Sequence, residues 1–401
     1  MNQTKVFSTS KERSPRQLRT QRERMGILLT ALVIITAWVV GYFSQDTNAL
    51  DYAANVLPGA TRIETRGSYY IGEGADGAVI GYAAVGQGVG YGGRLQVIVG
   101  VDLAGEIIGM QVIENHETPG FFRLVSSSGF IDQYQDKTIR DTLQLENDID
   151  GISGATISSE AIAASVREGV RTIASDGLDI SLPPEKKKIQ FGAPEITLIG
   201  LFVTGYIGHK QRRPAIKKNL RWGTLLTGMI VLGFIYTAPL TISQIIALLS
   251  GYWPDWHNNL YWYILIGGIL FVTTVDAKNP YCSWFCPFGA FQEIISKLTD
   301  AKVYRPRGWK RFLEWLPRSL ALTAIVLGLA LRQPGVAGYE PFATLFDIRG
   351  TVFEWALLLL TILASLIFYR PFCNFICPID PVVGYINAVR RWTKEVRRKN
   401  G

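Results

Sequence analysis

DGISGATISSEAI, residues 150–162, opens on Asp and Gly, passes through a turn of small residues and runs into a helical pattern. Ile162, Val166, Val170 and Ile173 recur at helical spacing, so a helix is expected to begin near Thr156. A helix N-terminus presents unpaired N–H groups and partial positive charge, and accepts phosphate. Gly154 and Ala155 permit close backbone approach there, and Thr156 offers a hydroxyl. The same residues also describe an ordinary N-cap turn, since Ser and Thr are common at that position. The local residues leave both readings open.

Upstream, residues 81–115 carry β-branched, Gly-punctuated stretches, with alternation in LQVIVGVD and a turn at DLAG. Strands followed by a helix make residues 46–191 a compact α+β domain. The Gly cluster at 86–93 mimics a dinucleotide fingerprint, but no strand–turn–helix unit surrounds it.

The rest of the 401-residue chain is marked by apolar runs. Segments 25–44, 196–208, 223–250, 260–275, 319–331 and 355–369 contain no charged residue. Two of them, 25–44 and 223–250, reach bilayer-crossing length unaided; the others need Glu195, Asp276, Arg318 or Glu354 at the interface. The expectation is a polytopic α-helical membrane protein with six spans. Residues 1–24 form a basic head, 25–45 an uncleaved anchor, and 192–401 a five-span domain. Lys and Arg cluster at 1–24, 209–218, 302–311 and 390–399, whereas 252–259 and 333–347 carry little positive charge. Both termini are therefore expected in the cytoplasm and residues 46–191 outside it. That outer block holds 20 acidic and 11 basic residues, although Lys186, Lys187 and Lys188 sit awkwardly close to the second span. The overall charge of +8 lies beside spans, where it faces anionic lipid and not nucleic acid.

The four cysteines fall in two copies of one pattern, NPYCSWFCPFG (279–289) and RPFCNFICPID (370–380), with Cys282 and Cys373 91 residues apart. Identical spacing argues against cysteines that merely pack as small hydrophobes. Four thiolates can ligate an Fe–S cluster, and zinc would also accept them. If each C-x-x-x-C were helical, its two sulfurs would share a face, with Pro287 and Pro378 stopping the helix after Cys286 and Cys377. Trp284, Phe285, Phe288, Phe372 and Phe375 would shield the site.

D-x-x-S-G-A-T resembles the flavinylation motif of the FMN-binding domains in the Nqr and Rnf electron-transfer complexes and in NosR. The resemblance implies FMN joined to Thr156 by a phosphoester, installed by a flavin transferase, with Asp150, Ser153, Gly154 and Ala155 completing the motif. NHETPGFF (115–122) resembles the H-x-E-T-P-G-L-G stretch that the family places near the flavin. Glu117, Thr118, Pro119 and Gly120 match; the family's His position is Asn115, with His116 one place along, and Phe121-Phe122 replace Leu-Gly. Paired C-x-x-x-C-P motifs after spans resemble NosR and the RdhC/PceC-type membrane flavoproteins of organohalide respiration. NosR also carries C-x-x-C-x-x-C clusters, which this sequence lacks, so the inventory is more similar to the RdhC/PceC type. The resemblance implies a relay that takes electrons from menaquinol or another membrane donor. It would pass them through FMN to an extracytoplasmic reductase with its own membrane anchor, here a reductive dehalogenase. The alternatives are a NosR-like donor or maturation factor, a redox sensor, or an ion-pumping component, which would want paired acids at mid-membrane.

A relay needs no substrate of its own, so no catalytic residue is assigned. A haem held by two histidines is not expected, because His209 falls at the inner face and His257 at the outer. The aromatic run at 252–263 reads as an interfacial belt or a quinone headgroup site, and Asp276 with Lys278 as a snorkelling boundary. The expected separation of inner cysteines from outer flavin, a hydrocarbon core of roughly 30 Å, is a difficulty for direct electron transfer. The topology is open to test. A reporter fused after Gly401 should be active only if it works in the cytoplasm, and one inserted at Leu182–Pro183 should report the outside. A cytoplasmic signal at 182–183 would remove 196–208 from the spans and redraw the orientation.

Overall fold

A computed structural model describes residues 15–44, 49–90, 92–117, 119–185, 189–302, 308 and 310–400. The chain begins with α1 (Pro15–Phe43) and the short α2 (Leu50–Val56). Five strands follow, β1 (Arg62–Arg66), β2 (Tyr69–Glu73), β3 (Val79–Val89), β4 (Arg94–Asp102) and β5 (Ile107–Asn115). They form one antiparallel sheet in sequence order, with Gly81 opposite Asp102 and Val89 opposite Arg94 in the longest pairing. Then come α3 (Pro119–Ser127) and α4 (Thr156–Thr172), which ends in a π turn at Ile173–Gly177.

The alternation in β4 decides how the sheet is covered. Leu95, Val97, Val99 and Val101 pack against α4 with Ile162, Val166 and Val170, while Ile98 on the other face packs with Ala83, Ala53, Val56 and Leu57 of α2. The expected helix after Thr156 and the expected strands are both present. The Gly cluster has a packing role: a Cβ at Gly86 would lie 1.9 Å from the Ser165 carbonyl oxygen, and one at Gly88 2.0 Å from that of Ala161. These bare positions let the α4 backbone lie directly on β3.

The second part comprises α5 (Ala193–Lys210), α6 (Pro214–Thr227), α7 (Ile242–Ser250), α8 (Leu260–Asp276), α9 (Pro287–Leu298), α10 (Lys310–Ala330), α11 (Phe342–Phe346), α12 (Val352–Ile367), α13 (Pro371–Phe375) and α14 (Ile379–Asn400). The fold is thus mixed α+β, a sheet domain joined to helices. Among the described residues two helical stretches are long and apolar enough to cross a membrane, Gln21–Phe43 and Arg311–Ala330; Leu260–Asp276 and Val352–Ile367 are shorter apolar helices. The run 223–250 is not one span. A π segment at Gly228–Ile235 follows α6, the helix stops at Tyr236, and α7 starts only at Ile242. Pro239, which has no N–H to donate, stands in the break. Lys186–Lys188 lie outside the described residues.

The two parts meet at a buried polar cluster. The His116 ring stacks on Tyr252 at 5.7 Å, and the guanidinium carbons of Arg94 and Arg332 lie 5.6 and 5.3 Å from the same ring. Arg332 Nη2 donates to the Ser250 carbonyl at 3.0 Å. Replacing Gly86 by Val is expected to push α4 off β3 and to destabilise the protein by about 1–3 kcal/mol, the usual cost of overpacking. Thermal unfolding of the full chain measures it; an unchanged midpoint would contradict this packing.

Candidate functional site: a flavin turn and a four-cysteine cavity

The Asp150–Thr156 turn and the segment leading into it are held by side chains from the preceding loop. Gln133 clamps the backbone of Asp150, its Oε1 accepting the Asp150 N–H at 2.7 Å and its Nε2 donating to the Asp150 carbonyl at 3.1 Å. Asp148 accepts from Thr142 Oγ1 and from the Leu143 and Gln144 N–H groups, each at 2.8 Å. Burial alone would push its carboxyl up, but these bonds hold it below the usual range. Ser153 and Gly154 are exposed, and Gly154 takes φ of 75°, which favours glycine. Ala155 is buried as the N-cap of α4 and gives no side-chain cap; Thr156 is the first helical residue and is exposed. Ser159 Oγ accepts the Ile152 N–H at 3.3 Å and closes the turn, whereas Ser158 Oγ is buried and makes no hydrogen bond.

The residues of NHETPGFF are placed by contacts of their own. Glu117 is buried; Oε2 accepts the Gly92 N–H at 3.0 Å, and a Cβ at Gly90 would fall 1.5 Å from Oε1. The carboxylate therefore clasps the Gly90–Gly93 loop. His116 Nε2 contacts Glu114, which Arg94 also pairs, and the His116 ring is taken up by Tyr252. Burial would raise Glu114, but His116 and Arg94 hold it below the usual carboxylate range. Thr118 lies outside the described residues. Pro119 begins α3 and Gly120 is exposed behind it.

The cysteine motifs depart from the helical expectation. Cys282 lies in a π turn (Tyr281–Phe285), and Cys286 beyond it is extended, at φ −60° and ψ 119°. Pro287 starts α9 where it was expected to end a helix, because proline suits the first helical position. Likewise Cys373 lies in α13 and Cys377 just beyond it, before Pro378 and α14. Each second cysteine thus sits at the mouth of the next helix. The backbone N–H groups of Gly289 and Phe288 pull the Cys286 thiol down against its burial, and that of Ile379 does so at Cys377. Such N–H groups favour thiolate.

All four cysteines line one cavity of about 680 Å³. Cys286 and Cys377 are buried, Cys282 and Cys373 half-buried. Trp284, Phe285, Phe288 and Phe372 are buried around them and Phe375 is half-buried. Burial pushes the Cys373 thiol up to about 12 and raises the other three, so iron or another cation is what would keep them as thiolates. Among the described residues no three His, Cys, Asp or Glu side chains converge on a point that would hold a single metal ion. Four sulfurs around a shared cavity are a donor set that suits an iron–sulfur cluster. His209, Asp276 and Lys278 line the same cavity, and His209 contacts Lys278. His257 instead pairs with Asp255 at 2.8 Å.

The polar frame of this cavity was not expected from the sequence. Gln292 Nε2 donates to Cys373 Sγ at 3.2 Å while its Oε1 accepts the Phe372 N–H at 3.0 Å. Glu293 is buried and takes both guanidinium nitrogens of Arg221 at 2.7 Å; Arg370 pairs with it too and donates to the Cys282 carbonyl at 3.3 Å. Arg221 also donates to the Ser283 carbonyl at 3.1 Å. Burial alone would raise Glu293, but Arg221 and Arg370 bring it down to about 2. The nearest signal in the sequence was Arg370, the first residue of the second cysteine motif.

Residues 90–171 match the family described as an FMN-binding domain, and residues 258–306 with 351–395 match the 4Fe-4S binding domain. These segments contain the Asp150–Thr156 turn and all four cysteines, and mark an FMN-binding domain and a 4Fe-4S binding domain in one chain. The chain is 28% identical over 185 residues to protein NirI of Paracoccus denitrificans, covering 42% of this chain and 27% of NirI. It is 25% identical over 232 residues to the regulatory protein NosR of Stutzerimonas stutzeri, covering 53% and 32%. With a component of the ion-translocating oxidoreductase complex of Methanosarcina acetivorans it shares 36% over 105 residues, covering 25% and 56%. NirI and NosR are thus similar to this chain over part of their length. The chain spans between about a quarter and just over half the length of these three relatives.

Replacing Glu293 by Gln strands two buried guanidiniums and is expected to cost about 3–5 kcal/mol. A depressed carboxyl contributes stability that is present above its unfolded value and lost as pH falls through its folded one. The wild-type melting midpoint should therefore fall between about pH 4.3 and about pH 2, and the variant should start lower and lack that step. Equal pH profiles for the two proteins would refute the assignment.

Proposed function

We propose that this protein is a polytopic membrane flavoprotein that relays electrons from menaquinol, or another membrane donor, to a reductase outside the membrane. FMN would be joined to Thr156 by a phosphoester, and Cys282, Cys286, Cys373 and Cys377 would hold a 4Fe-4S cluster. Bound FMN supplies the capacity to accept two electrons together and release them singly, and the cluster supplies a one-electron centre. The chain's own contribution is to tether, orient and shield. Each menaquinol oxidised to menaquinone gives up two electrons and two protons.

The observation that carries this reading is the short path along α11. Phe342, its first residue, lines the four-cysteine cavity, and Arg349, three residues past its end, lies against Gly154 of the flavin turn. At helical rise across α11 and full extension beyond it, the Cα atoms of Phe342 and Arg349 are at most about 16 Å apart. That is far less than a bilayer core of roughly 30 Å, and supports direct exchange between cluster and flavin.

The likeness to the RdhC/PceC type makes a reductive dehalogenase the proposed acceptor. The likeness to NosR favours a second reading, in which the same centres serve or regulate another extracytoplasmic reductase. Reduction and reoxidation at the rate of the terminal reductase would mark a relay; slower turnover would mark a sensor.

Protein from a host with a flavin transferase should yield, after denaturation and digestion, a fluorescent peptide containing Thr156 with the added mass of FMN. Thr156→Ala should abolish it, and Ser158→Ala and Ser159→Ala should not. Anaerobic preparations should contain iron and acid-labile sulfide in equal amounts, both depleted by any single Cys→Ser change. Fluorescence persisting in the Thr156→Ala peptide, or zinc in place of iron, would overturn the corresponding half of the reading.

A further inference from the structure

We propose that Arg349, contributed by the helical domain, is the phosphate-binding residue of the flavin site in the other domain. The inference rests on the reading of Thr156 as the FMN attachment point. Arg349 lies in the loop between α11 and α12 and reaches the flavin turn, where Nη2 donates to the Ser153 carbonyl at 3.2 Å. The guanidinium lies against Gly154, where a Cβ would stand 2.1 Å from Nη1. Nη1 itself is shielded from solvent and makes no hydrogen bond; the Asp347 carboxylate stands 3.6 Å away.

The groups beside Arg349 want the same ligand. The α4 N-terminus has no side-chain cap, so the first N–H groups of the helix are unpaired. Ser158 Oγ, in that first turn, is buried and orphaned. Thr156, two residues from Gly154, is exposed. A phosphodiester on its hydroxyl carries one negative charge and free oxygens. Nη2 of the guanidinium is committed to Ser153 and Nη1 is paired only loosely with Asp347, at 3.6 Å and without a hydrogen bond, so the planar fork can still take a phosphodiester oxygen. Asp347 then orients the arginine without saturating it.

This makes the flavin phosphate a joint between the two domains. Arg349 binds it from the helical side while the α4 terminus binds it from the flavin side. Loaded FMN is thereby held at the end of the α11 path instead of swinging on a single-residue tether.

The test uses the full chain in detergent, purified from a host with a flavin transferase, as wild type, Arg349→Ala, Arg349→Gln and Arg349→Lys. Mass spectrometry of the Thr156 peptide establishes loading; phosphorus NMR of the bound FMN and flavin fluorescence anisotropy read the phosphate and its mobility. In Arg349→Ala the phosphorus resonance should shift and the anisotropy should fall, with flavin still on Thr156. Arg349→Gln, which can keep the bond to the Ser153 carbonyl, should show the same losses, and Arg349→Lys should recover part of both. Loaded Arg349→Ala and Arg349→Gln proteins with wild-type resonance and anisotropy would overturn this proposal alone. Wild-type protein without flavin on Thr156 would overturn the attachment reading and this proposal with it.

Discussion

Glu293 is a carboxylate buried inside the helical domain, and it is tolerable there only because two guanidiniums close on it. Those guanidiniums come from α6 and from the residue before α13, and each also donates to a carbonyl of the first cysteine turn. One ionic knot therefore fixes both cysteine motifs to α9. Gln292, its neighbour, completes the frame by holding Phe372 and the sulfur of Cys373. Apolar packing alone would leave the four sulfurs free to slide. Directional bonds to the Ser283 and Cys282 carbonyls hold the first cysteine turn in place.

The flavin domain is built on the opposite logic. Its sheet is covered on both faces by helices that touch it backbone to backbone, made possible by glycines at 86, 88 and 100. The resulting platform presents the flavin turn at the end of α4. Two arginines of the helical domain reach toward it, Arg332 through the Tyr252 ring and Arg349 at the turn. The domain is thus seated at two separated points, which resists rotation better than either contact alone.

Between these two parts lies the loop from Tyr339 to Arg349. Tyr339 donates to the Ile376 carbonyl beside Cys377 at 2.8 Å, and Glu340 accepts the Ile242 N–H at the start of α7 at 2.7 Å. Burial pushes the Glu340 carboxyl up to about 7. The loop is pinned at both ends, by the cysteine cavity and by the flavin turn, with α11 as the short rigid segment between them.

The sequence by itself determined the elements whose signal is local. Period-two alternation in LQVIVGVD gave β4, helical spacing after Thr156 gave α4, and the repeated cysteine pattern located every cavity sulfur. What it could not determine depended on residues distant in the chain. The C-x-x-x-C motifs read as helical, but each second cysteine is extended because the following proline opens a new helix. The run 223–250 read as one span, but it breaks around Pro239. Glu117 and His116 resemble residues near a flavin, and the structure adds what the sequence does not show, a bond from the Gly92 N–H to Glu117 and a stack of His116 on Tyr252. Gln133, Gln292, Glu293, Arg221 and Arg349 carry no local mark, since a buried ion pair or a crossing arginine looks in sequence like any polar residue on a helix or loop. Only the tertiary structure, by bringing partners from 17 to 196 residues apart within hydrogen-bond reach, decided which polar groups frame the sites.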